Sequence, residues 1–150
     1  MPALIFINRY CYPDESATSQ LVSDLALDLV RSGHRVHVIT SRQLHNDPEA
    51  ALDPSEEVEG LSVTRVWTSR WGRQNLFGRF LDYLTFYWSA AMALWRIARA
   101  GDVVIAKTDP PMLGTVACIV AKVRGATVVN WLQDVYPEVA ERLHLAGPAI

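Results

Sequence analysis

The sequence predicts an α/β fold: a doubly wound, mostly parallel β-sheet with helices on both faces. Short apolar runs alternate along the chain with longer stretches of helical periodicity. Most of these runs are apolar at consecutive positions, which is typical of strands that are covered on both faces. Because crossovers between parallel strands are right-handed, few topologies remain, and we expect the strand order 3-2-1-4-5.

The first half of the chain contains three predicted strands and one predicted helix. The strands cover residues 4–8, 36–40 and 61–67. The helix runs over about 18–32, where the apolar residues form one stripe and Gly33 stands just past the end. Residues 43–60 are rich in Asp and Glu and contain no Lys or Arg, so we predict a solvated loop.

The second half contains two further strands and two helices. The predicted strands cover residues 102–107 and 126–132. A long helical stretch occupies about 74–100. A shorter helix lies between Pro111, which suits a first turn, and Gly125, which suits the position after the last turn.

Length and composition exclude several classes of protein. A chain of 150 residues, half of them hydrophobic, is enough for one globular domain with a sizeable core. The net charge of −2 gives no support to nucleic-acid binding. Cys11 and Cys118 form no CxxC pair, and His34 and His37 have no third ligand nearby, so we expect no metal and no redox centre.

Polar side chains follow three of the predicted strands at the point where each strand ends. They are Asn8, Tyr10, Tyr12 and Asp14 at the end of the first strand, Lys107, Thr108 and Asp109 at the end of the fourth, and Gln133 and Asp134 at the end of the fifth. The carboxyl ends of parallel strands meet at one edge of the sheet, and ligands bind there at the switch point of the strand order. The sequence therefore predicts that these side chains line one crevice.

Several of these residues also have an ordinary structural explanation. Asp134 and Glu138 suit the first turn of a following helix, whose dipole favours carboxylates. Asp109 suits the extended turn that two prolines impose. Lys107 ends a buried strand and needs an anionic partner, for which Asp109, Asp134 and a substrate phosphate are all candidates.

The loop that leads into the first helix has two possible roles. Ser16 and Thr18 are residue types that cap helices, and the free amides at a helix start also favour anions. The loop contains no glycine, so neither a dinucleotide-binding fingerprint nor a P-loop is present. Capping and contact with a substrate anion both remain open.

Residues 65–99 are basic and aromatic, with six arginines and one acidic residue. Residues 80–98 are about long enough to span a bilayer, but Asp82 and Arg96 within them argue against it. This stretch is either a long core helix lying on the sheet or a surface that docks on anionic lipid. In the second case the membrane-facing residues are Trp71, Arg73, Arg79 and Phe80.

Five segments resemble the N-terminal half of the family 4 glycosyltransferases, which have the GT-B fold. In chain order they are "INRYCYPDESATSQLVSDLA", "GHRVHVITSRQ", "RVWTSRWGRQNLFGRFLDYLTFYWSAA", "VVIAKTDPP" and "NWLQDVYPE". The resemblance implies that residues 1–150 are a Rossmann-like, acceptor-side domain, with the C-terminal nucleotide-sugar-binding domain absent from this chain. It also implies a retaining transfer of sugar from a nucleotide-sugar donor to a lipid-linked or saccharide acceptor, in bacterial polysaccharide or glycolipid synthesis.

Two positions depart from the family pattern. Members commonly have a glycine pair after the first strand, where this chain has Ser16 and Thr18 on either side of an alanine. Many also have a histidine before the aspartate that corresponds to Asp134. Gln133 stands there instead, and it can hydrogen-bond to a sugar hydroxyl but cannot take up a proton at neutral pH.

The resemblance sets further expectations. We expect a cytoplasmic protein on the inner face of the cytoplasmic membrane, with no cofactor and no catalytic residue among those present. Residues 1–150 alone are expected to be inactive. One alternative is a non-catalytic, membrane-associated subunit that binds the acceptor and recruits a separate donor-binding partner. Another is half of an epimerase of the same fold.

Overall fold

The computed structural model describes residues 1–72 and 75–133, which form a six-stranded sheet with helices on both faces. The strands are β1 (Ala3–Ile7), β2 (Arg35–Ser41), β3 (Ser55–Val58), β4 (Leu61–Val66), β5 (Val103–Lys107) and β6 (Thr127–Trp131). The helices are α1 (Ala17–Arg31), α2 (Leu76–Ile97) and α3 (Leu113–Arg124).

The strand order is β3-β4-β2-β1-β5-β6, and every neighbouring pair is parallel except β3 with β4. The five parallel strands follow the 3-2-1-4-5 order that the apolar runs predict. The doubly wound α/β fold class is therefore confirmed. In this order the switch point lies between β1 and β5.

The prediction that residues 43–60 form only a solvated loop was wrong, because β3 lies within them. β3 pairs antiparallel with β4 through a turn at Glu59 and Gly60, which both have positive φ. Its first three residues are exposed. An edge strand with solvated side chains needs no apolar run, so its acidic composition gave no strand signal.

The two faces of the sheet are covered by different helices. Ile5 of β1 lies in a core cluster with Phe86 and Leu94 of α2, and α3 contributes to the same cluster. The next residue, Phe6, lies in a second cluster with Val22 of α1. This alternation follows from the two-residue period of a strand, and it fixes α1 on one face and α2 and α3 on the other.

The long helix α2 ends at Ile97, before the predicted end at about residue 100. Asn75 caps its start, and the Asn75 side-chain oxygen accepts a hydrogen bond from the Gly78 amide at 2.7 Å. Asp102 terminates its other end by accepting from the Arg99 amide at 2.8 Å. Its second oxygen accepts from the Ala3 amide, also at 2.8 Å, which ties the helix end to the start of β1.

The third helix starts two residues after Pro111, because Met112 adopts a left-handed conformation with φ of 68°. Its end matches the prediction. Gly125 is the residue after the last turn and has φ of 73°, a conformation that suits glycine.

Candidate functional site

A cavity of about 340 Å³ lies at the carboxyl edge of the sheet. The residues that follow β1, β2, β4 and β5 line it together with the first turns of α2: Arg9, Tyr10, Gln43, His45, Pro48, Arg70, Gly72, Arg79, Asp82, Tyr83 and Asp109. We call this cavity the basic pocket. A larger cavity of about 580 Å³ lies at the amino ends of the strands, whereas ligands of doubly wound sheets bind at the carboxyl ends. We therefore take the basic pocket as the candidate site.

Arg9 is the most buried cation of this pocket. Its residue surface is only 8% exposed, and its guanidinium carbon lies 5.3 Å from the ring centroid of Tyr10 and 5.0 Å from that of Tyr83. Burial raises the pKa of Tyr10, with Asp109 adding to the effect and Arg9 opposing it. The Tyr10 phenol therefore remains protonated at neutral pH and can donate a hydrogen bond.

Sequence reasoning missed most of this pocket. Among the described residues, Tyr10 and Asp109 of the predicted crevice line it, together with Arg79, which was predicted to face a membrane. One signal was present in the sequence: Arg9 follows a buried strand almost directly, where a charged side chain calls for an explanation.

Asp14 holds the loop after β1 against the loop after β2. One of its carboxylate oxygens accepts from the Ser16 amide at 2.9 Å and from the Ser16 hydroxyl, and the other accepts from the His45 amide at 2.5 Å. Its backbone carbonyl accepts from the Ser19 hydroxyl at 2.8 Å. These bonds give Asp14 a structural role in shaping the rim of the site.

The side chain of Ser16 does not cap α1. Ser16 occupies the cap position, but its side chain makes no hydrogen bond to a helix amide and bonds to Asp14 instead. Capping by Ser16 is therefore not what the structure shows. Thr18 is half-buried in the first turn of α1. Its backbone carbonyl accepts a hydrogen bond from the side chain of Lys107, at the end of β5.

Lys107, at the carboxyl end of β5, connects three elements of the fold. Its ammonium nitrogen lies 3.4 Å from the Thr18 carbonyl oxygen and 4.5 Å from the ring centroid of Trp131 on β6. Its side chain is almost fully buried. Lys107 therefore brings α1, β5 and β6 together at the predicted edge, as convergence of the strand ends requires.

The remaining predicted residues lie around this edge. Asn8 is fully buried, donates from its side-chain amide to the Tyr10 carbonyl at 2.6 Å, and has a side-chain oxygen without a partner among the described residues. The Tyr12 ring is exposed. Gln133 is exposed, and its backbone amide lies 3.4 Å from the Thr108 hydroxyl. Asp134 and Glu138 lie outside the described residues.

Two other side chains near the site, Cys11 and Tyr87, are protonated at neutral pH. Burial raises the pKa of the Cys11 thiol, which also contacts the Ser23 hydroxyl at 3.3 Å, so the thiolate is disfavoured. Burial also raises the pKa of Tyr87 to about 12, and its hydroxyl donates to the Pro111 carbonyl. Neither group is a nucleophile at neutral pH.

The outer face of α2 carries an exposed apolar stripe. Its members recur every three or four residues and are Phe77, Phe80, Leu84, Trp88, Met92 and Trp95. Trp71, in the loop before the helix, is 64% exposed, and Arg79 is exposed beside Phe80. Arg73 lies outside the described residues. We call the six helix residues the apolar stripe.

Arg65 does not belong to the basic surface that its position in the sequence suggested. Its side chain is 1% exposed, and it forms an ion pair with Glu56 at 2.6 Å. It also donates to the Tyr12 carbonyl at 2.9 Å. Arg65 therefore ties the edge strand β3 to the loop after β1.

The described part of the chain lacks two features that would have suggested other functions. No helix in residues 1–72 and 75–133 has the length and apolar character needed to cross a membrane. The same residues contain no group of three or more His, Cys, Asp or Glu side chains that could hold a metal ion.

Comparison with known proteins identifies one relationship. The model of the glycosyl transferase 4-like domain matches residues 17–149, which is most of the chain. The matched range contains α1, α2 and most of the basic pocket, while β1 and Arg9 precede it. A search of the curated proteins finds no match to the chain.

Proposed function

This chain belongs to the glycosyl transferase 4-like domain family, and from that membership we propose that it is the acceptor-side domain of a retaining glycosyltransferase. The enzyme transfers a sugar from a nucleotide-sugar donor to a lipid-linked or saccharide acceptor, in the synthesis of a bacterial polysaccharide or glycolipid. The observation that carries the proposal is the basic pocket, which lies at the carboxyl edge of the sheet in a chain of this family.

The chemistry proposed for this domain is positioning and charge stabilisation. The pocket offers the buried cation Arg9 beside the phenol of Tyr10, and burial keeps two candidate nucleophiles of the described chain, Cys11 and Tyr87, protonated. Binding two substrates in a fixed orientation and stabilising a departing diphosphate lower the barrier to transfer without a covalent enzyme intermediate. No metal or cofactor takes part in this proposal.

The test is sugar transfer by the full-length protein. A panel of nucleotide sugars is incubated with lipid-linked and saccharide acceptors, the products are detected by mass spectrometry, and NMR assigns the anomeric configuration. We expect a product that keeps the anomeric configuration of the donor. We also expect residues 1–150 alone to be inactive. An inverted product would refute the retaining mechanism, and a panel without any transfer would refute the proposed acceptor classes.

The apolar stripe supports a second part of the proposal: the protein binds peripherally to an anionic membrane, at the inner face of the cytoplasmic membrane. Trp88 is 73% exposed and Phe77 is 69% exposed, so these rings are available for insertion among lipid headgroups. Arg79 and Arg96 are exposed on the same helix and can contact anionic lipid. A lipid-linked acceptor would be met at such a surface.

Vesicle flotation tests this part of the proposal. Trp88→Ser should weaken binding to anionic vesicles about tenfold or more, because burying a large apolar side chain contributes about 1.5–3 kcal/mol. Leu21→Ser is the matched control, since Leu21 is exposed on α1 at the opposite face of the sheet. Equal loss in both variants, or equal binding to neutral and anionic vesicles, would refute membrane docking through the stripe.

A further inference from the structure

We propose that the basic pocket binds the diphosphate group of the acceptor, with Arg9 as its buried anchor. This inference deepens the proposed function and rests on it for the identity of the acceptor. The pocket is separate from the predicted contacts at Ser16, Thr18 and Gln133, none of which lines it.

Arg9 is a buried cation that forms no ion pair among the described residues. Its guanidinium group lies over the rings of Tyr10 and Tyr83, and its Nε atom is buried with no hydrogen-bond partner in the described chain. None of the ion pairs among the described residues includes Arg9. Burying a charged group without an opposite charge is costly, so a bound anion would relieve the cost.

Other cations of the wall can share the same anion. Arg79 is exposed at the start of α2, and Arg70 comes from the loop after β4. The ion pair of Arg70 with Glu49 at 3.2 Å is largely exposed, so little is lost when Arg70 exchanges it for a ligand. Guanidinium groups match the geometry of phosphate oxygens and bind them through paired hydrogen bonds.

The acidic residues of the pocket wall do not fully neutralise the charge of its arginines. Asp82 has both carboxylate oxygens occupied, by the Ser69 hydroxyl and by the amides of Trp71 and Gly72. Its charge is therefore directed at the loop. Asp109 also lies on the wall. Among the described residues of the wall, three arginines against two aspartates leave a positive balance, and the carboxylate of Asp82 already accepts hydrogen bonds from protein donors.

The position of the pocket next to the apolar stripe favours a diphosphate that is attached to a hydrocarbon chain. Arg79 lines the pocket and its sequence neighbour Phe80 belongs to the apolar stripe, so α2 presents the cation and the apolar ring on adjoining faces, about 100° apart around the helix. A diphosphate bound by the arginines would leave an attached hydrocarbon chain beside the stripe. An isoprenyl diphosphate has both parts that such a site would bind, a diphosphate for the arginines and a hydrocarbon chain for the stripe.

Binding of inorganic pyrophosphate and of farnesyl diphosphate to the full-length protein, measured by calorimetry, tests the inference. We expect both probes to bind, and farnesyl diphosphate to bind at least about tenfold more tightly, because part of its chain is buried on the stripe. Equal binding of the two probes would support the anion site and assign it to a free diphosphate. Binding of neither probe would refute the site.

Substitutions of the pocket arginines test whether pyrophosphate binds in this pocket. Arg9→Met should abolish pyrophosphate binding while leaving the melting temperature unchanged or higher, because an apolar side chain of similar volume removes a buried charge that forms no ion pair among the described residues. Arg79→Gln, at an exposed position, should weaken binding about tenfold or more. Arg31→Gln is the control, since Arg31 is an exposed arginine on α1.

Two outcomes contradict the assignment. A fall in the melting temperature of Arg9→Met with pyrophosphate binding intact would make Arg9 a structural cation. Unchanged binding in Arg79→Gln and Arg9→Met together would place the anion elsewhere. These measurements need no sugar donor. They can therefore fail while the full-length protein still transfers sugar, and they can succeed where the transfer assay fails.

Discussion

Replacement of Asp82 by asparagine is expected to loosen the loop that carries Arg70. The Asp82 carboxylate accepts three hydrogen bonds: from the Ser69 hydroxyl at 2.6 Å, the Trp71 amide at 3.0 Å and the Gly72 amide at 2.9 Å. The residue is 5% exposed. An asparagine keeps one acceptor oxygen and directs an NH₂ group at donors that the second oxygen had satisfied.

The expected loss of stability follows from these contacts. A hydrogen bond to a charged group contributes about 1.5–3 kcal/mol, and a buried donor that is left without a partner costs about 1–3 kcal/mol. The Ser69 hydroxyl has an alternative partner in Thr85 at 3.1 Å, so its share is partly recovered. We therefore expect Asp82→Asn to lower the free energy of unfolding by about 2–4 kcal/mol.

Urea unfolding followed by tryptophan fluorescence measures this change. Asp28→Asn is the matched control, because Asp28 is an exposed carboxylate whose helical ion pair with Arg31 lies at the surface. We expect the control to unfold at nearly the wild-type urea concentration and Asp82→Asn to unfold at a clearly lower one, with similar m-values. Coincident midpoints for the two variants would refute the assignment of Asp82 as the residue that holds the loop.

Three further predictions concern stability. Gly78→Ala should cost about 1–3 kcal/mol, because a Cβ there would lie 2.1 Å from the Trp71 carbonyl oxygen. In the control Gly114→Ala the closest atom is the side-chain oxygen of Asn130, which can rotate away, so equal losses in urea unfolding would contradict this reasoning. Asn75→Ala should cost about 1 kcal/mol through loss of the helix cap, and an unchanged midpoint would show that the cap contributes nothing. Burial lowers the pKa of His37, so the unfolded chain takes up a proton near pH 6.5 that the native protein binds less readily, and the free energy of unfolding falls as the pH drops below that value. His37→Gln should remove this part of the decline between pH 7.5 and 5.5, and identical pH profiles would contradict it.

The parallel strands could be predicted from the sequence because a buried strand must be composed mainly of apolar residues. A strand such as β1 or β5 that is covered on both faces must be apolar at nearly every position, and its neighbours then follow from the handedness of the crossovers. β3 left no such trace. Its side chains are solvated, and only its pairing with β4 makes it a strand.

The basic pocket could not be predicted because it is assembled from distant parts of the chain. Arg9, Arg70 and Arg79 come from a strand end, a loop and a helix. The loop that carries Arg70 is held against α2 by hydrogen bonds of the Trp71 and Gly72 amides to Asp82. Read along the sequence, Arg65, Arg70 and Arg79 all looked like one basic surface. In the structure Arg65 is buried in an ion pair instead.

The acidic edge strand has a consequence for how copies of this protein behave when they are crowded together. The open edge of a sheet is a template on which another chain can add a strand, and natural proteins block it with short, charged strands. β3 is four residues long and exposes Glu57, whereas the charge of Glu56 is paired with Arg65, so the same edge of a second copy would meet the like charge of Glu57. Copies drawn close together through the apolar stripe would therefore be kept from joining their sheets into aggregates at this edge.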